Sequence, residues 1–413
     1  MPQSVCPSVS RATASENDTN EQNATADRSE DPQVEHFEER QVQWGIMASG
    51  ANPNKVKNFP LVPFLAGLGI VSSILFYQYQ RYGMSLFVDR SSFDSSYSAS
   101  EWHGILSNKT LLLIGGPHRG GTTVLWKALD AHPDISGLGT KPPAEDGSDD
   151  AVQKRKCGEG ILIQDVYSRR GIGMEHMMKS NLAFQKRMMG LGKYALGKED
   201  QVHLNESEAR VTPQNMAKLL NRYNHYWNTS KSVLVEKSPP NAVMSRFLQA
   251  IYNEGRTAED GLQIRFLFMT RHPIANALAH QSILRDTYDV PFSTLMNNYV
   301  QVHRYLREDM PHLRNDPMLI KLEEFASNPK AQLEKIYRWL GVDGSSEIVK
   351  GVLEHRMQES IRDDPNSKYK EKWCRAADSN DRSWHAAIAS KYQPLIDDLQ
   401  LGYDITDGWC KYD

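Results

Sequence analysis

Four short apolar runs, spaced along the chain from residue 111 onward, predict buried β-strands. A segment with helical spacing of apolar positions follows each run, so strands and helices alternate along the sequence. Alternating strands and helices are typical of a parallel sheet with helices on both faces, and we therefore expect an α/β fold. The predicted strands are Leu111–Gly115, Ser232–Glu236, Ile264–Thr270 and Met318–Leu322.

Capping residues and apolar periodicity mark the predicted helices. Thr212 and Pro213 open a helix that runs to about Trp227, and Asn328-Pro329 opens one that ends at Gly341. The C-terminal third of the sequence is mostly helical. The other predicted helices are Val124–Ala131, Ile161–Arg169, Asn241–Tyr252, a helix from Pro273 to Leu284, and Trp384–Leu401.

The N-terminal part of the chain differs in composition from the rest. Residues 1–57 are polar, carry five basic and nine acidic side chains, and are predicted to be disordered. Residues 58–80 contain no charged side chain, and their length fits the ~20 residues that a transmembrane helix needs. The alternative is a buried core helix. Residues 81–108 are rich in serine and predict a stalk, so one large globular domain is expected over residues 109–413.

Net charge and cysteine spacing exclude some classes of partner. The formal charge of −3 gives no indication of nucleic-acid binding. Cys6, Cys157, Cys374 and Cys410 are too far apart for a metal-binding pair of the usual spacing. In an oxidising compartment, Cys374 and Cys410 can form a disulfide; buried free thiols are the alternative.

The first predicted strand leads into a glycine-rich turn and then a helix, which is the arrangement of a phosphate-binding loop. Gly120 and Gly121 allow close backbone approach, while Thr122 and Thr123 add hydroxyl donors. Arg119 adds a guanidinium group suited to phosphate or sulfate. No lysine follows the glycines, so this is not a Walker A loop. An ordinary strand–turn–helix junction with a capping threonine is the alternative.

Cations follow three of the four predicted strands. Arg119 comes shortly after the first strand, and Lys237 and Arg271 come directly after the second and third strands. Because ligands of parallel sheets bind at the carboxyl ends of the strands, we expect these side chains to face one crevice. Three cations suit a ligand with more than one phosphate or sulfate group. The alternative is that Lys237 and Arg271 pair with acids such as Glu236.

These motifs resemble those of a known enzyme family. Residues 116–123, GPHRGGTT, resemble the 5′-phosphosulfate loop of sulfotransferases that use 3′-phosphoadenylyl sulfate (PAPS). Residues 271–279, RHPIANALA, resemble the family's 3′-phosphate motif. The spacing of the motifs, with LDAHPD at 129–134 and LGYD at 401–404, is similar to the membrane-anchored Golgi branch, which includes tyrosylprotein sulfotransferases.

The resemblance implies a P-loop-like three-layer fold and a set of donor-binding residues. PAPS is the expected sulfuryl donor, and no metal is expected. The 3′-phosphate would bind at Arg271 and near position 279, where the family's usual serine is Ala279; Asn276, His280, Gln281 or Ser282 are the substitutes. The 5′-phosphosulfate would bind to residues of the loop: His118, Arg119, Gly120, Gly121, Thr122 and Thr123.

The catalytic base is less clearly marked. Tyrosylprotein sulfotransferases carry two glutamates in a stretch that here reads GLGTK, residues 137–141, without an acid. Glu159 is the preferred candidate because Gly158-Glu159-Gly160 precedes the apolar segment ILIQDVY; Glu145 and Asp146 are the alternatives. Lys237 and Arg119 would neutralise charge on the leaving phosphate.

The resemblance also implies a reaction and a location. The reaction is sulfuryl transfer to a hydroxyl of a glycan or a protein tyrosine. The location is the Golgi membrane, with a single-pass type II anchor at residues 58–80 and a lumenal catalytic domain. The sequence itself has three glycosylation sequons after this segment, at Asn108, Asn205 and Asn228, and two before it, at Asn17 and Asn23. The oligomeric state, monomer or homodimer, stays open. The alternative functions are an inactive membrane-anchored nucleotide-binding protein and a P-loop phosphotransferase.

Overall fold

A parallel sheet forms the centre of the computed structural model, which describes residues 96–139, 159–164, 166–167, 190–197, 199–256, 260–284, 290–354, 364–378 and 382–410. Its strands are β1 Thr110–Gly115, β2 Ile135–Gly137, β3 Val233–Lys237, β4 Gln263–Thr270 and β5 Met318–Lys321. They pair in the order β2-β3-β1-β4-β5, and all pairs are parallel. The four predicted strands are confirmed to within one residue at each end. The three-residue strand β2 was not predicted.

The central strand β1 is buried along its whole length. Leu111 lies opposite Leu234 of β3 and Ile264 of β4 in the sheet register. Successive side chains of a strand point to opposite faces, so Leu111 and Leu113 belong to one apolar cluster, while Leu112 and Ile114 belong to another. The sheet therefore separates two cores, as the predicted three-layer arrangement requires.

Helices cover both faces of the sheet. Thr212 caps the helix Pro213–Asn224 (α4) by accepting a hydrogen bond from the backbone N–H of Asn215 at 3.2 Å, and Asn328 caps the helix Pro329–Leu340 (α9) in the same way. Gly341 ends α9 in the left-handed conformation, as predicted. The helices are α1 Ala99–Ile105, α2 Thr122–Asp130, α3 Glu199–Val202, α4 Pro213–Asn224, α5 Ser245–Asn253, α6 Pro273–Leu284, α7 Phe292–Asp309, α8 Leu322–Ser327, α9 Pro329–Leu340, α10 Ser346–Val352, α11 Ser367–Asp378 and α12 Arg382–Asp398.

The helix predicted over residues 161–169 is wrong in its described part. Only a single 3₁₀ turn forms, at Gly160–Leu162. The backbone N–H groups of Val166 and Tyr167 both donate to Oε1 of Gln164, and this local side-chain bond takes the place of helical hydrogen bonds. Similarly, the segment that follows β3 begins as a 3₁₀ helix, Pro239–Val243, before α5 starts.

The stalk prediction also differs from the structure at its C-terminal end. Helix α1 lies within residues 81–108 and opens with a capping box formed by Ser98 and Glu101. Its Trp102 is fully buried, and the indole N–H donates to Oδ1 of Asn221 at 3.0 Å. The globular domain therefore begins before residue 109.

Several predictions concern residues outside the described part of the chain. The tail 1–57 and the uncharged segment 58–80 are among them. Among the residues that the structure describes, no helix combines the length and the apolar character needed to span a membrane.

A disulfide joins Cys374 of α11 to Cys410, which ends a 3₁₀ turn at Asp407–Cys410. Of the two alternatives that the sequence left open for these thiols, the structure has the paired form.

The strand order places β1 at a topological switch point. From β1 the chain continues to β2 and β3 on one side, and then crosses to β4 and β5 on the other. Ligands of open parallel sheets bind outside the carboxyl ends of the strands at such a point. A ligand site is therefore expected at the loop that follows β1.

Candidate active site

The loop between β1 and α2 has an unusual backbone. Gly116, Arg119 and Gly121 have φ values of 142°, 66° and 101°. A Cβ on Gly116 would lie 2.1 Å from the carbonyl oxygen of Met269, so the close approach of β4 requires glycine there. Left-handed residues between ordinary ones turn successive backbone N–H groups toward one side, which forms an anion-binding concavity.

This loop ends at the N-terminus of α2. Within the described residues no side chain caps α2, whose N-cap residue is Gly121. The first N–H groups of a helix have no partner inside the helix, so they and the positive end of the helix dipole are available to an anion. The alternative of a junction capped by threonine is not what the structure has, because Thr122 is already the first helical residue.

Lys237 ends β3 and connects the loop to a distant carboxylate. Its Nζ lies 2.6 Å from Oε1 of Glu159 and donates to Oγ1 of Thr123 over 3.3 Å. The lysine side chain is 3% exposed and the glutamate side chain 21%. A buried ammonium group needs such a partner. A cation, a carboxylate and a hydroxyl of the loop therefore meet at one place.

Glu236, the neighbour of Lys237, is fully buried. Its Oε1 accepts from the backbone N–H of Gly160 at 2.8 Å and from Oγ of Ser238 at 2.5 Å, and its Oε2 accepts from Nδ2 of Asn241 at 2.5 Å. Burial raises the pKa of Glu236 to about 7, while these hydrogen bonds act in the opposite direction. The sequence left open a pairing of Lys237 with Glu236; in the structure, the salt bridge of Lys237 is with Glu159.

Arg271 follows β4 directly and contacts the same loop. Its Nη1 donates to the carbonyl oxygen of Arg119 at 3.3 Å. Its Nε donates to Oδ1 of Asn366 at 2.7 Å, and its guanidinium carbon lies 4.8 Å from the ring centre of Tyr369. Burial lowers the pKa of Arg271 from its ordinary value. Lys237 and Arg271 thus both contact the loop that carries Arg119. That the three cationic side chains face one ligand crevice stays a prediction.

Glu323 supports the Arg271 side of the loop. Its Oε1 accepts from the backbone N–H of His272 at 2.8 Å and from Nδ2 of Asn366 at 2.6 Å. Its Oε2 accepts from the hydroxyl of Tyr403 at 2.9 Å. The carboxylate therefore fixes both the backbone next to Arg271 and the amide that holds the Arg271 guanidinium.

His272 links this region to the C-terminal segment. Its Nε2 lies 2.9 Å from the carbonyl oxygen of Asp404, and its ring stacks on Trp409 with the ring centres 3.8 Å apart. Burial lowers the pKa of His272 to about 4. The imidazole is therefore neutral near pH 7, and it contributes a hydrogen bond and a stacked ring to the packing of this region.

His118 belongs to the loop between β1 and α2, and its side chain is buried. The ring is buried against Tyr194, with the ring centres 4.8 Å apart, and its carbonyl oxygen accepts from Nδ2 of Asn276 at 2.8 Å. Burial lowers the pKa of His118, and also that of His280, to about 3. Within the described residues, Nδ1 of His118 and Nε2 of His280 have no hydrogen-bond partner.

Ala279 is fully buried in the apolar cluster formed by α6, α7, α11 and α12. Its methyl group offers no polar contact, and its carbonyl oxygen accepts from Oγ of Ser282. Of the four substitutes that the sequence suggested, Asn276 donates a hydrogen bond to the loop between β1 and α2, at the carbonyl oxygen of His118. The role of position 279 in donor binding stays a prediction.

Sequence reasoning named Glu236 only as a possible partner of Lys237, and it missed four other residues of this region: Ser238, Glu323, Asn366 and Tyr369. Glu236 and Ser238 flank the predicted Lys237, and their position at a strand end was the available signal. The others lie 43 or more residues from their partners in the network, so no local spacing marks them. Glu145 and Asp146, the alternative bases, lie outside the described residues.

One group of metal-ligand type occurs in the described part of the chain. The ligand atoms of Glu199, His203 and Glu308 all lie within 4.8 Å of one another. These residues belong to α3, α7 and the residue after α3, and none belongs to the loop region. Nε2 of His203 is already 2.7 Å from Oδ1 of Asp309.

The arrangement around the loop has a clear chemical capacity. Backbone N–H groups, a helix N-terminus and the side chains of Arg119, Lys237 and Arg271 can bind a ligand that carries two anionic groups. Glu159, held against Lys237, is a carboxylate able to accept a proton at the same place.

Comparison with protein families identifies one family. A model of the sulfotransferase family matches residues 112–346, which is more than half of the 413 residues. No curated protein sequence matches the chain.

Solved structures with a related arrangement are distant. The sulfotransferase domain of the Synechococcus PCC 7002 olefin synthase is 18% identical; the match covers 63% of this chain and 82% of that one, with a TM-score of 0.35. Sulfotransferase STF1 from Mycobacterium tuberculosis is 14% identical; the match covers 68% of this chain and 80% of that one, with a TM-score of 0.40. A sulfotransferase from Alicyclobacillus acidocaldarius is 16% identical; the match covers 73% of this chain and 98% of that one, with a TM-score of 0.34.

Proposed function

The chain belongs to the sulfotransferase family, and from that premise we propose that it transfers a sulfuryl group from PAPS to a hydroxyl of a glycan or a protein tyrosine. The observation that carries the proposal is the meeting of Lys237 and Arg271 on the Arg119 loop. A donor with a 5′-phosphosulfate and a 3′-phosphate has two anionic ends, and it needs cations at two positions along one crevice.

The loop fits the 5′ end of such a donor. Gly121, Thr122 and Thr123 would supply backbone and hydroxyl donors, and Arg119 a guanidinium group. The N–H of Gly120 donates to the carbonyl oxygen of Pro117 at 2.9 Å, so Gly120 would contribute close backbone approach. The left-handed backbone at Arg119 and Gly121 and the uncapped start of α2 form the concave surface that this role needs. Arg271, on the other side of the loop, would bind the 3′-phosphate.

The proposed reaction is an in-line displacement. PAPS supplies an activated sulfuryl group whose leaving group is the phosphate of 3′,5′-phosphoadenosine. A sulfur–oxygen bond forms to the acceptor hydroxyl while the bond to the phosphate oxygen breaks, and Glu159 takes the hydroxyl proton. Lys237 and Arg119 neutralise the negative charge that develops on the phosphate.

The contacts of Lys237 suit this division of roles. The same ammonium group touches Glu159 and Thr123, so it lies between the proposed base and the proposed phosphosulfate site. Positioning of this kind is the main contribution that a protein makes to such transfers. The roles of base and charge neutralisation therefore need no further side chain.

The competing functions are less well supported. A P-loop phosphotransferase needs a lysine after the glycines of the loop, where this chain has Thr122. It also needs an acidic strand end for Mg²⁺, whereas the strand ends near the loop carry cations. An inactive PAPS-binding protein would keep the loop and lack turnover, and the assay below separates it from an enzyme.

Location and acceptor form the outer part of the proposal. The disulfide Cys374–Cys410 supports a lumenal, oxidising location of the globular domain. Residues 58–80 would anchor the chain in the Golgi membrane as a single-pass type II protein. A glycan is preferred to tyrosine as acceptor, because the two glutamates of tyrosylprotein sulfotransferases are missing from residues 137–141.

The test uses the purified full-length chain with radiolabelled PAPS. We expect label transfer to at least one member of a panel of glycans, with acidic tyrosine peptides as the second panel. Binding of 3′,5′-phosphoadenosine is measured in parallel by calorimetry. Binding without transfer to either panel would favour the inactive protein, and absence of binding would reject the donor assignment.

A further inference from the structure

Three consecutive residues at the end of β3 and directly after it contact three consecutive residues of the segment that carries Glu159. Lys237 contacts the side chain of Glu159, while Glu236 accepts a hydrogen bond from the backbone N–H of Gly160 at 2.8 Å. Ser238 accepts from the backbone N–H of Ile161 at 3.0 Å. Three strand-end residues therefore bind three successive residues, 159 to 161.

Both oxygens of Glu236 accept hydrogen bonds, and all of their donors are buried. Gly160 and Ser238 donate to Oε1, and Asn241 donates to Oε2. A fully buried carboxyl group is costly to keep unless its hydrogen bonds are made. An apolar residue would cost less at this position if only packing were needed, so the carboxylate has a function that depends on its two acceptor oxygens.

The same group is attached to the strand that carries the phosphate loop. Nδ2 of Asn241 donates both to Oε2 of Glu236 and to the carbonyl oxygen of Ile114. The backbone N–H of Ser238 also donates to Ile114, at 3.1 Å. The 159–161 segment is thereby fixed relative to the end of β1.

The fit around Gly160 leaves no room for adjustment. A Cβ on Gly160 would lie 2.6 Å from Cγ of Glu236 and 2.6 Å from the hydroxyl oxygen of Tyr223. The backbone of the segment therefore lies directly against the Glu236 side chain, and glycine is required for this approach.

We propose that Glu236, with Ser238, is a positioning residue that holds the backbone of Gly160 and Ile161 so that the Glu159 carboxylate stays beside Lys237 and the phosphate loop. The inference rests on the proposed function, in which Glu159 is the base. Glu236 does not contact the substrate in this scheme and acts only through Glu159.

The primary variant is Glu236→Gln in the full-length chain. Glutamine has one acceptor oxygen, so whichever way its amide faces, an N–H group points at a donor, either Gly160 or Asn241. We expect kcat to fall about tenfold to a hundredfold, as for one lost buried hydrogen bond to a charged group. The Kd for 3′,5′-phosphoadenosine should stay within about threefold, since no donor-binding residue changes. An unchanged kcat would overturn the inference.

A second pair of variants guards against misfolding. Ser238→Ala removes the hydroxyl that links Ile161 to Glu236, and Ser238→Thr keeps it. We expect a lower kcat for the alanine variant and recovery for the threonine variant, with thermal melting followed for both. Equal loss in the two variants would indicate packing alone and contradict the proposal.

A double-mutant cycle separates this inference from the assignment of the base. If Glu236 acts through Glu159, then Glu159→Gln/Glu236→Gln should be no slower than Glu159→Gln alone. If Glu236→Gln lowers kcat by the same factor in the Glu159→Gln background as in the wild-type chain, the two residues act independently, and the positioning role is rejected. Near-normal turnover of Glu159→Gln would instead reject the proposed base.

Hydrogen exchange provides a readout that needs no turnover. Glu236→Gln should speed exchange of the Gly160 and Ile161 amides at least about tenfold, while amides of β4 keep the wild-type rate. Unchanged exchange at residues 160 and 161 would overturn the inference even if the wild-type chain shows no transfer activity.

Discussion

The ammonium group of Lys237 lies 2.6 Å from the carboxylate of Glu159, although 78 positions separate the two residues in the sequence. The contact joins the end of a central strand to a segment outside the sheet. Among the described residues, Glu159 is the only one whose carboxylate is within salt-bridge distance of the Lys237 ammonium group. Because Lys237 also contacts Thr123, this carboxylate lies near the loop between β1 and α2. The proposed base and the proposed electrostatic catalyst are therefore one structural unit.

The Glu159→Gln variant tests the base directly. The amide keeps the shape of the side chain but cannot accept the acceptor's proton, so turnover should fall by about 10²–10⁴. Affinity for 3′,5′-phosphoadenosine should hold within about threefold in calorimetry. Glu347→Gln, at an exposed position, serves as the control. Near-normal turnover would move the base to Glu145 or Asp146.

Arg119→Ala tests the phosphate loop. Arginine and alanine bear the same left-handed backbone cost at φ 66°, so the comparison isolates the guanidinium group. We expect loss of transfer and at least a hundredfold weaker nucleotide binding, with an unchanged melting temperature. Arg119→Lys keeps the charge and should bind with intermediate affinity. Full nucleotide affinity in the alanine variant would refute the loop assignment.

Arg271→Met tests the 3′-phosphate site. Loss of a charge-assisted contact should raise the Kd for 3′,5′-phosphoadenosine about tenfold to a hundredfold. The Kd for adenosine 5′-phosphosulfate, which lacks the 3′-phosphate, should change less than about threefold. Arg307→Met is the matched surface control, since Arg307 pairs with Asp398 on an exposed face. Equal weakening for both nucleotides would contradict this role.

The disulfide should stabilise the Arg271 side of the site. Cys374→Ser opens a loop whose ends are 36 positions apart, and the loop-entropy model predicts a loss of about 4 kcal/mol of unfolding free energy. Denaturant unfolding with and without reductant measures this loss. The reductant should affect the wild-type chain and leave the variant unchanged; a wild-type chain that is insensitive to reduction would argue against the bond.

Acid should destabilise the domain. Burial lowers the pKa of His118 and His280 to about 3 and that of His272 and His303 to about 4. In the unfolded chain these groups titrate near 6.5. Below pH 6.5 the unfolded state therefore binds more protons, and stability is lost as the pH falls toward 4. Glu236, with a folded pKa of about 7, acts in the opposite direction between about 4.5 and 7.

Burial lowers the pKa of His203, but its hydrogen bond with Asp309 and the charge of Asp309 raise that pKa by more, so His203 acts in the same direction as Glu236. The four buried histidines outweigh these two residues, so the free energy of unfolding should fall by several kcal/mol between pH 7 and pH 5. Denaturant titrations at pH 7, 6 and 5 give the slope. His280→Gln should make it shallower, and His312→Gln, at an exposed position, should leave it unchanged. A free energy that is constant over this range would show that the buried histidines do not govern acid stability.

The sequence predicts the part of the site that is local. Strand, glycine turn and helix are adjacent in the chain around residues 110–130, and apolar runs locate the other strand ends. The carboxyl ends of parallel strands lie on one edge, so Lys237 and Arg271 could be placed near Arg119 without coordinates. Strand β2 was not predicted, because its three residues, Ile135–Gly137, are too few to show a pattern of apolar positions.

The long-range supports could not be predicted in the same way. Glu323 reaches Asn366, and Asn366 reaches Arg271, through pairings between segments 43 and 95 positions apart. Such pairings depend on how helices pack, which periodicity does not encode. The false helix at 161–169 has a different cause, because Gln164 competes for the backbone N–H groups of Val166 and Tyr167.

The contact between His272 and residues 404–409 has a consequence for synthesis of the protein. His272 and Asp404 are 132 positions apart, so a ribosome must complete the whole intervening sequence before the buttress behind Arg271 exists. The loop after β1 is translated far earlier. A nascent chain therefore forms the loop side of the proposed donor site before the contacts that support Arg271.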